Sequence, residues 1–176
     1  MQTFRLVLIH LLVYGLLAAI SMPSNWLAIP LAVLLIWISV WDFLTFEISD
    51  LAALSLVLSG ALALYGSSEF MLIDRIFGGI LWPLLFWTVA ELYLKTRGVH
   101  GLGFGDVKLM AGIGLWCGAY GTIYVVLTAA LSGLGALSLL AVVRSTSLTE
   151  IGQSKVAFGP FLCLSAWGVW LLGGNT

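Results

Sequence analysis

Charged residues are scarce in this chain of 176 residues, in which Asp, Glu, Lys and Arg together make up 9%. Soluble globular proteins contain roughly 25%. Seven Lys and Arg against eight Asp and Glu leave a formal net charge of −1, so the chain has no basic surface on which to hold phosphates. The composition therefore excludes a soluble globular enzyme, a disordered chain and a nucleic-acid-binding protein.

Cysteine is equally rare. The two cysteines, Cys117 and Cys163, lie in apolar stretches, and the sequence contains no CxxC pair. Neither a zinc site nor a disulfide framework is expected from this spacing, and the redox compartment cannot be read from it.

Apolar residues are abundant, at 61% of the chain, and the mean hydropathy is +1.13. A membrane-spanning helix needs roughly 20 mostly apolar residues. Seven runs approach this length, and they cover residues 4–21, 26–43, 51–66, 73–93, 107–119, 122–143 and 156–173. The sequence predicts one integral-membrane domain over residues 1–176, an all-α polytopic bundle without a sheet. Short spacings between Gly112, Gly114 and Gly118 predict close helix packing.

The basic residues predict the orientation. With seven spans, one side of the membrane receives the N-terminus and the loops near 44–50, 94–106 and 144–155. Six of the seven basic residues fall on that side, namely Arg5, Lys95, Arg97, Lys108, Arg144 and Lys155. Only Arg75 falls on the other side. Since positive loops stay inside, the N-terminus is predicted to be cytoplasmic and the C-terminus outside.

Two acidic residues differ in position from the others. Asp42 follows an unbroken apolar run at the predicted cytoplasmic end of the second span, and Asp106 opens the fifth span at the same end. By contrast, Glu69 and Asp74 in the predicted outer loop and Glu150 in a polar linker are expected to be solvated. The topology therefore places two carboxylates at one depth on one side of the membrane.

Such a pair can perform acid–base chemistry. Two carboxylates held close cannot both ionise cheaply, so they share a proton. The ionised group can take a proton from water while the protonated group donates to a carbonyl oxygen, as in aspartic proteases. The alternative is that Asp106 is a first-turn helix acid and Asp42 a helix-end residue at the interface. Gly103 and Gly105 favour the catalytic reading, because they remove side chains beside Asp106.

Three segments resemble one family. The segment Gly103-Phe-Gly-Asp-Val-Lys-Leu109 resembles the GxGD motif of the type IV prepilin peptidases, membrane aspartic proteases that trim pilin and pseudopilin precursors. The segment from Asp42 to Asp50 resembles their first catalytic segment, and Phe158-Gly-Pro-Phe-Leu162 resembles a segment near their C-terminus. GxGD alone would be a weak match, since presenilin-type proteases share it. Three motifs in the family's order make the match specific.

The resemblance implies a role for each matched residue. Asp42 and Asp106 match the catalytic aspartates, Gly103 and Gly105 the motif glycines, and Lys108 a common basic residue. The third segment contributes Phe158, Gly159 and Pro160, of which Pro160 suits the first turn of a helix. The resemblance implies a cut after a glycine and before the apolar helix of the precursor, at the bacterial inner membrane, without a metal or other cofactor.

The sequence also departs from the family pattern. Ser49-Asp50 stands where Pro-Asn is more common. Only Met22–Asn25 separates the first two spans, with no CxxC segment, so the chain resembles the peptidase core alone and methyltransferase activity is not expected. Glu47 and Asp50 either attract a basic leader or form an ordinary solvated loop. Lys108 either contacts substrate or the ionised aspartates, or reaches the interface as a snorkelling side chain.

A different class of function is a non-catalytic membrane protein, either a carrier or an inactive relative that acts as an assembly factor. Intramembrane acids also mark transport paths. A carrier is expected to place its acids near the midplane, whereas both candidate acids here lie at one surface. That placement favours the peptidase. The sequence does not indicate an oligomeric state.

Overall fold

The computed structural model of the protein describes residues 2–21, 26–65, 67–99, 101–144 and 157–173. All regular elements in these ranges are α-helices, which confirms the predicted all-α class. They are α1 (Gln2–Ser21), α2 (Ala28–Thr45), α3 (Asp50–Ala63), α4 (Glu69–Arg97), α5 (Phe104–Arg144) and α6 (Gly159–Gly173). The segment before α2 and most of the polar linker before α6, with Glu150 and Lys155, lie outside the described residues.

Three of these helices, α2, α4 and α5, are long and apolar enough to cross a membrane. The remaining apolar helices are shorter and cover Thr3–Ala19, Asp50–Ala63 and Gly159–Gly173. Hydrophobic side chains cover much of the surface of α4 and α5, as expected where lipid rather than water is the solvent. The chain is therefore a membrane protein, while the count of seven spans and the cytoplasmic N-terminus stay predictions.

Helix α5 turns back on itself at Gly118, whose φ of 74° and ψ of 176° are not helical. Before the break, Gly105 lies against Ile48. After it, Gly121 faces Val169 near the end of α6, and Gly133 faces Phe158 near its start. The first arm begins at the end of the bundle where α2 ends and α6 starts, and the second arm runs back towards that start of α6. The two arms of α5 are therefore antiparallel. The predicted runs 107–119 and 122–143 correspond to these arms, but a single residue replaces the expected loop.

Asp74 holds this reversal in place. Its Oδ1 accepts a hydrogen bond from the backbone N–H of Ala119 at 3.2 Å, at the start of the second arm. A Cβ on Gly118 would collide with Asp74 Oδ2, and the positive φ also favours glycine. The predicted loop is wrong for Glu69 and Asp74, because both belong to α4, which begins after the Ser68 cap; Glu69 is exposed as expected, whereas Asp74 is partly buried. Asp74 thus accepts from a backbone N–H at a helix start, where the N–H groups have no acceptor within their own turn.

Glycines bring α4 and α5 into backbone contact. A Cβ on Gly78 would lie 2.6 Å from the backbone N of Ala119 and 2.8 Å from the carbonyl O of Gly114. On the other side of α5, a Cβ on Gly112 would lie 2.7 Å from Leu56 of α3. The predicted close packing at Gly112, Gly114 and Gly118 is confirmed. Close backbone approach is the usual means by which membrane helices gain van der Waals contact.

The core lies between α2, α3, the first arm of α5, and α6, and its fully buried side chains include Leu35, Ile38, Leu56, Leu109, Met110, Ile113, Leu162 and Trp167. Helix α1 is joined to it by polar contacts. His10 Nε2 lies 2.8 Å from Ser39 Oγ of α2, and the Trp167 indole donates to the Tyr14 carbonyl at 3.1 Å. This packing brings the end of α2 to the starts of α5 and α6.

We expect Gly114→Ala to destabilise the protein by about 1–3 kcal/mol, because the new methyl group meets the Gly78 backbone, which cannot move aside. Gly135→Ala on the same helix is the matched control, since nothing lies within 4 Å of a Cβ at that position. The control should leave stability unchanged or raise it, as Ala is the better helix former. Thermal unfolding in detergent measures the stability of both variants. Equal midpoints would show that a methyl group at position 114 does not meet the Gly78 backbone.

Candidate active site

Three helix ends meet at one cavity of about 330 Å³. Asp42 lies in the last turn of α2, Asp106 in the first turn of α5, and Phe158 directly before α6. The cavity is lined by Asp42, Phe46, Glu47, Ile48, Gly103, Phe104, Gly105, Asp106, Lys108, Ala157 and Phe158. The structure thus brings the two candidate carboxylates to one cavity.

Asp42 is held by the start of α6. Its side chain is only 5% exposed, and its Oδ2 accepts a hydrogen bond from the backbone N–H of Gly159 at 3.0 Å. A buried carboxylate needs such a donor, because burial removes the hydrogen bonds that water would supply. A Cβ on Gly159 would lie 2.7 Å from the same oxygen. Glycine at this position therefore lets the donor approach the carboxylate.

Asp106 lies at the start of a helix, whereas Asp42 lies at the end of one. The first turn of α5 has backbone N–H groups without partners, and the helix dipole there favours a negative charge. The Asp106 N–H donates to the Gly103 carbonyl at 3.1 Å, which shapes the entry into the helix. The two interpretations of Asp106 are therefore compatible, since it is a first-turn acid that also lines the cavity.

The two motif glycines differ in their surroundings. A Cβ on Gly105 would lie 3.0 Å from Ile48 Cβ, so glycine lets the segment after α2 pack against the start of α5. A Cβ on Gly103 would meet only Asp106 Oδ2, at an ordinary 3.5 Å. Gly105 therefore serves packing, whereas Gly103 keeps one wall of the cavity free of a side chain.

Lys108 pairs with Asp50 rather than with either candidate catalytic carboxylate in the described residues. Its Nζ lies 2.5 Å from Asp50 Oδ1 and 5.0 Å from the centre of the Phe104 ring. Asp50 is the first residue of α3 and is largely exposed, and it does not line the cavity. The pair joins the start of α3 to the first arm of α5, next to the site.

The residues of the Phe158-Gly159-Pro160 segment have three different roles in the structure. Phe158 lines the cavity, and Gly159 donates its N–H to Asp42. Pro160 lies in the first turn of α6, as predicted, where its missing N–H leaves no hydrogen bond unmade. Of the three, Phe158 belongs to the cavity wall, whereas Gly159 and Pro160 do not.

Sequence reasoning missed four lining residues, Phe46, Ile48, Phe104 and Ala157. Each lies within or directly beside a segment that carries the resemblance, so proximity to the motifs was the available signal. Phe46 is a special case, because its φ of 56° and ψ of 29° place it in the left-handed region. No local feature of the sequence indicates that conformation for a phenylalanine.

The arrangement suits acid–base chemistry on a bound water, since two carboxylates face one cavity at the end of the bundle. Within the described ranges, no group of three or more His, Cys, Asp and Glu side chains is placed to bind a metal ion. The polar and charged groups on the cavity wall are Asp42, Glu47, Asp106 and Lys108.

The fold and site thus define a membrane-embedded helical protein with a carboxylate pair at one end. Residues 29–138 match the model of the type IV leader peptidase family. Because this match covers more than half of the chain, the protein belongs to the type IV leader peptidase family. The resemblance found in the sequence is therefore confirmed. None of the solved structures gives a significant match.

Several curated relatives carry the name prepilin leader peptidase/N-methyltransferase. The Escherichia coli K12 relative is 34% identical over 136 residues, covering 73% of this chain and 55% of the relative. The relative from Pectobacterium carotovorum subsp. carotovorum is 31% identical over 151 residues, covering 85% and 53%. The one from Xanthomonas campestris pv. campestris is 35% identical over 91 residues, covering 51% and 30%. The chain therefore spans about half or less of the length of these relatives.

We expect Gly159→Ala to lower stability by about 1–3 kcal/mol, because the methyl group collides with the Asp42 carboxylate. In an Asp42→Ala background that carboxylate is absent, so the same substitution should cost at least about 0.5 kcal/mol less. Gly168→Ala, on the same helix with nothing within 4 Å, is the control. Thermal midpoints of the full cycle check this, and a penalty independent of Asp42 would show that the contact is unimportant.

Proposed function

We propose that the protein is an aspartic endopeptidase that removes the leader from type IV prepilin-like or pseudopilin precursors at the cytoplasmic face of the bacterial inner membrane. The observation that carries this proposal is the shared cavity of Asp42 and Asp106. The names of the curated relatives support leader cleavage. The proposal covers only the peptidase half of that name, because the residues that carry the resemblance are those of the peptidase motifs.

The mechanism uses the two carboxylates as one unit. Held at one cavity, they share a single proton near neutral pH. The ionised carboxylate takes a proton from a water, whose oxygen attacks the scissile carbonyl carbon, while the protonated carboxyl donates to the carbonyl oxygen. The C–N bond then breaks, and a proton passes to the leaving amine. The Gly159 N–H orients the carboxylate of Asp42 throughout by holding its Oδ2.

The charge distribution supports a cytoplasmic site. Lys95 and Arg97 lie in the last turn of α4, and Lys108 lies at the cavity itself. The reversal at Gly118 divides α5 into two arms, so the described residues contain seven helical segments, the number of spans that the sequence predicts. The positive-inside rule then places the cavity at the cytoplasmic face, where a precursor leader is available before export.

Glu47 and Asp50 contribute differently to binding of the leader. Glu47 is exposed and lines the cavity, whereas the charge of Asp50 is already paired with Lys108. A basic leader would therefore bind first to Glu47, and Asp50 would contribute mainly by holding Lys108. The apolar helix that follows the leader would remain in the bilayer beside the bundle.

Replacement of either aspartate by asparagine should abolish cleavage of a tagged prepilin in co-expression, with a loss of at least about 10³-fold for each. Asparagine keeps the size of the side chain and removes the titratable proton. Glu69→Gln, an exposed acid at the start of α4, is the control and should cleave like wild type. All variants are compared at matched protein levels.

The other outcomes of this experiment separate the alternatives. Cleavage by wild type and by an Asn variant alike would show that other carboxylates act. Cleavage by none of the proteins across a panel of pilin and pseudopilin precursors would favour the non-catalytic assembly factor over the peptidase.

Charge reversal at Glu47 should raise KM for a basic-leader precursor about tenfold at low ionic strength, with a smaller effect at high salt. Asp50→Asn should raise KM less than threefold, since its charge is already neutralised. Glu69→Lys is the matched control on an exposed acid outside the cavity. An unchanged KM for Glu47→Lys would show that Glu47 does not bind the leader.

A further inference from the structure

Phe46 adopts a backbone conformation that phenylalanine rarely takes. It is the one residue other than glycine with a positive φ in the described part of the chain. Its N–H donates to the Asp42 carbonyl at 2.8 Å and so closes the last turn of α2. Helices that end in this way usually place Gly or Asn there, because a side chain crowds the left-handed conformation. A bulky residue in this position is a local strain of the kind that collects at functional sites.

The fold gains little from the ring in return. Phe46 is 50% exposed and does not belong to the hydrophobic core. Phe46 lines the cavity together with Phe104 and Phe158, so three phenylalanines share the wall that carries the two carboxylates. An aromatic ring that is half exposed beside a reactive pair offers apolar area and shape to a bound ligand.

We propose that Phe46 is a substrate-contacting residue that packs against the first apolar side chains after the scissile bond. This inference rests on the function proposed above and deepens it. Phe46 and Glu47 are neighbours on the cavity wall, and they present an apolar and an acidic surface to the two unlike halves of the precursor. Glu47 receives the basic leader, and Phe46 receives the start of the apolar helix.

Anchoring in the bilayer interface is the competing explanation for an exposed phenylalanine, and the chain contains a matched control for it. Phe43 is also 50% exposed and lies three residues earlier on α2, but it does not line the cavity. Any effect of lost interfacial anchoring should appear in Phe43→Ala as well as in Phe46→Ala.

The test is steady-state cleavage of a synthetic precursor with a basic leader, a glycine and an apolar helix by purified enzyme in detergent. Phe46→Ala should raise KM about tenfold with kcat within twofold, the signature of lost uniform binding, and Phe46→Leu should recover part of the loss. Phe43→Ala should behave as wild type. Phe46→Gly should show the same KM defect although its thermal midpoint is unchanged or about 2 °C higher, because glycine relieves the strain.

A substituted precursor tests the contact itself. Alanine in place of the first apolar residue after the cut should raise KM for wild type but should not raise it further for Phe46→Ala. The inference is overturned if Phe46→Ala and Phe46→Gly keep the wild-type KM. It is also overturned if Phe43→Ala shows an equal defect, or if the two effects simply add. Absence of cleavage by wild type itself would instead refute the proposed function.

Discussion

The reversal of α5 at Gly118 is the constraint on which the rest of the bundle depends. Without it, the 41 residues of α5 would form one rod of about 60 Å, roughly twice the thickness of the hydrocarbon core. The break needs a residue without a side chain, since Asp74 occupies the space of a Cβ and caps the second arm. Only because the second arm returns does α6 begin at the same end of the bundle as the first arm, beside Asp42.

The candidate site is a consequence of that return. Asp42 at the end of α2 is buried, and its carboxylate receives a donor only when the start of α6 arrives with the N–H of Gly159. Asp106 comes from a third helix and lies in its first turn. Three unlike helix ends thus supply one buried acceptor, one first-turn acid and one backbone donor, and none of them forms the cavity alone. Glycine is present at positions 105 and 159 because these helix ends approach one another closely there.

Around the carboxylates, polar and apolar groups divide the cavity wall. Lys108 is held by Asp50, and Glu47 is the acidic group on the wall besides the two candidate catalytic aspartates; within the described ranges it makes no ion pair. Phe46, Phe104 and Phe158 supply aromatic surface on the same wall. A precursor that joins a basic leader to an apolar helix carries both kinds of chemistry within a few residues. This division of the wall suits the substrate proposed above.

The sequence by itself determined the helical membrane class, the family and the identity of Asp42 and Asp106 as candidates, because these depend on composition, on run length and on residues adjacent in the chain. It also indicated close packing at Gly114 and Gly118, since small residues at short spacing have few other uses in lipid. Only the tertiary structure decided that Asp74 caps a helix, that Asp50 pairs with Lys108, and that Gly159 donates to Asp42. Those contacts join residues 45 to 117 positions apart. The physical reason is that local sequence sets the period and polarity of a helix, whereas the partner of a side chain at a helix end depends on where other helices begin.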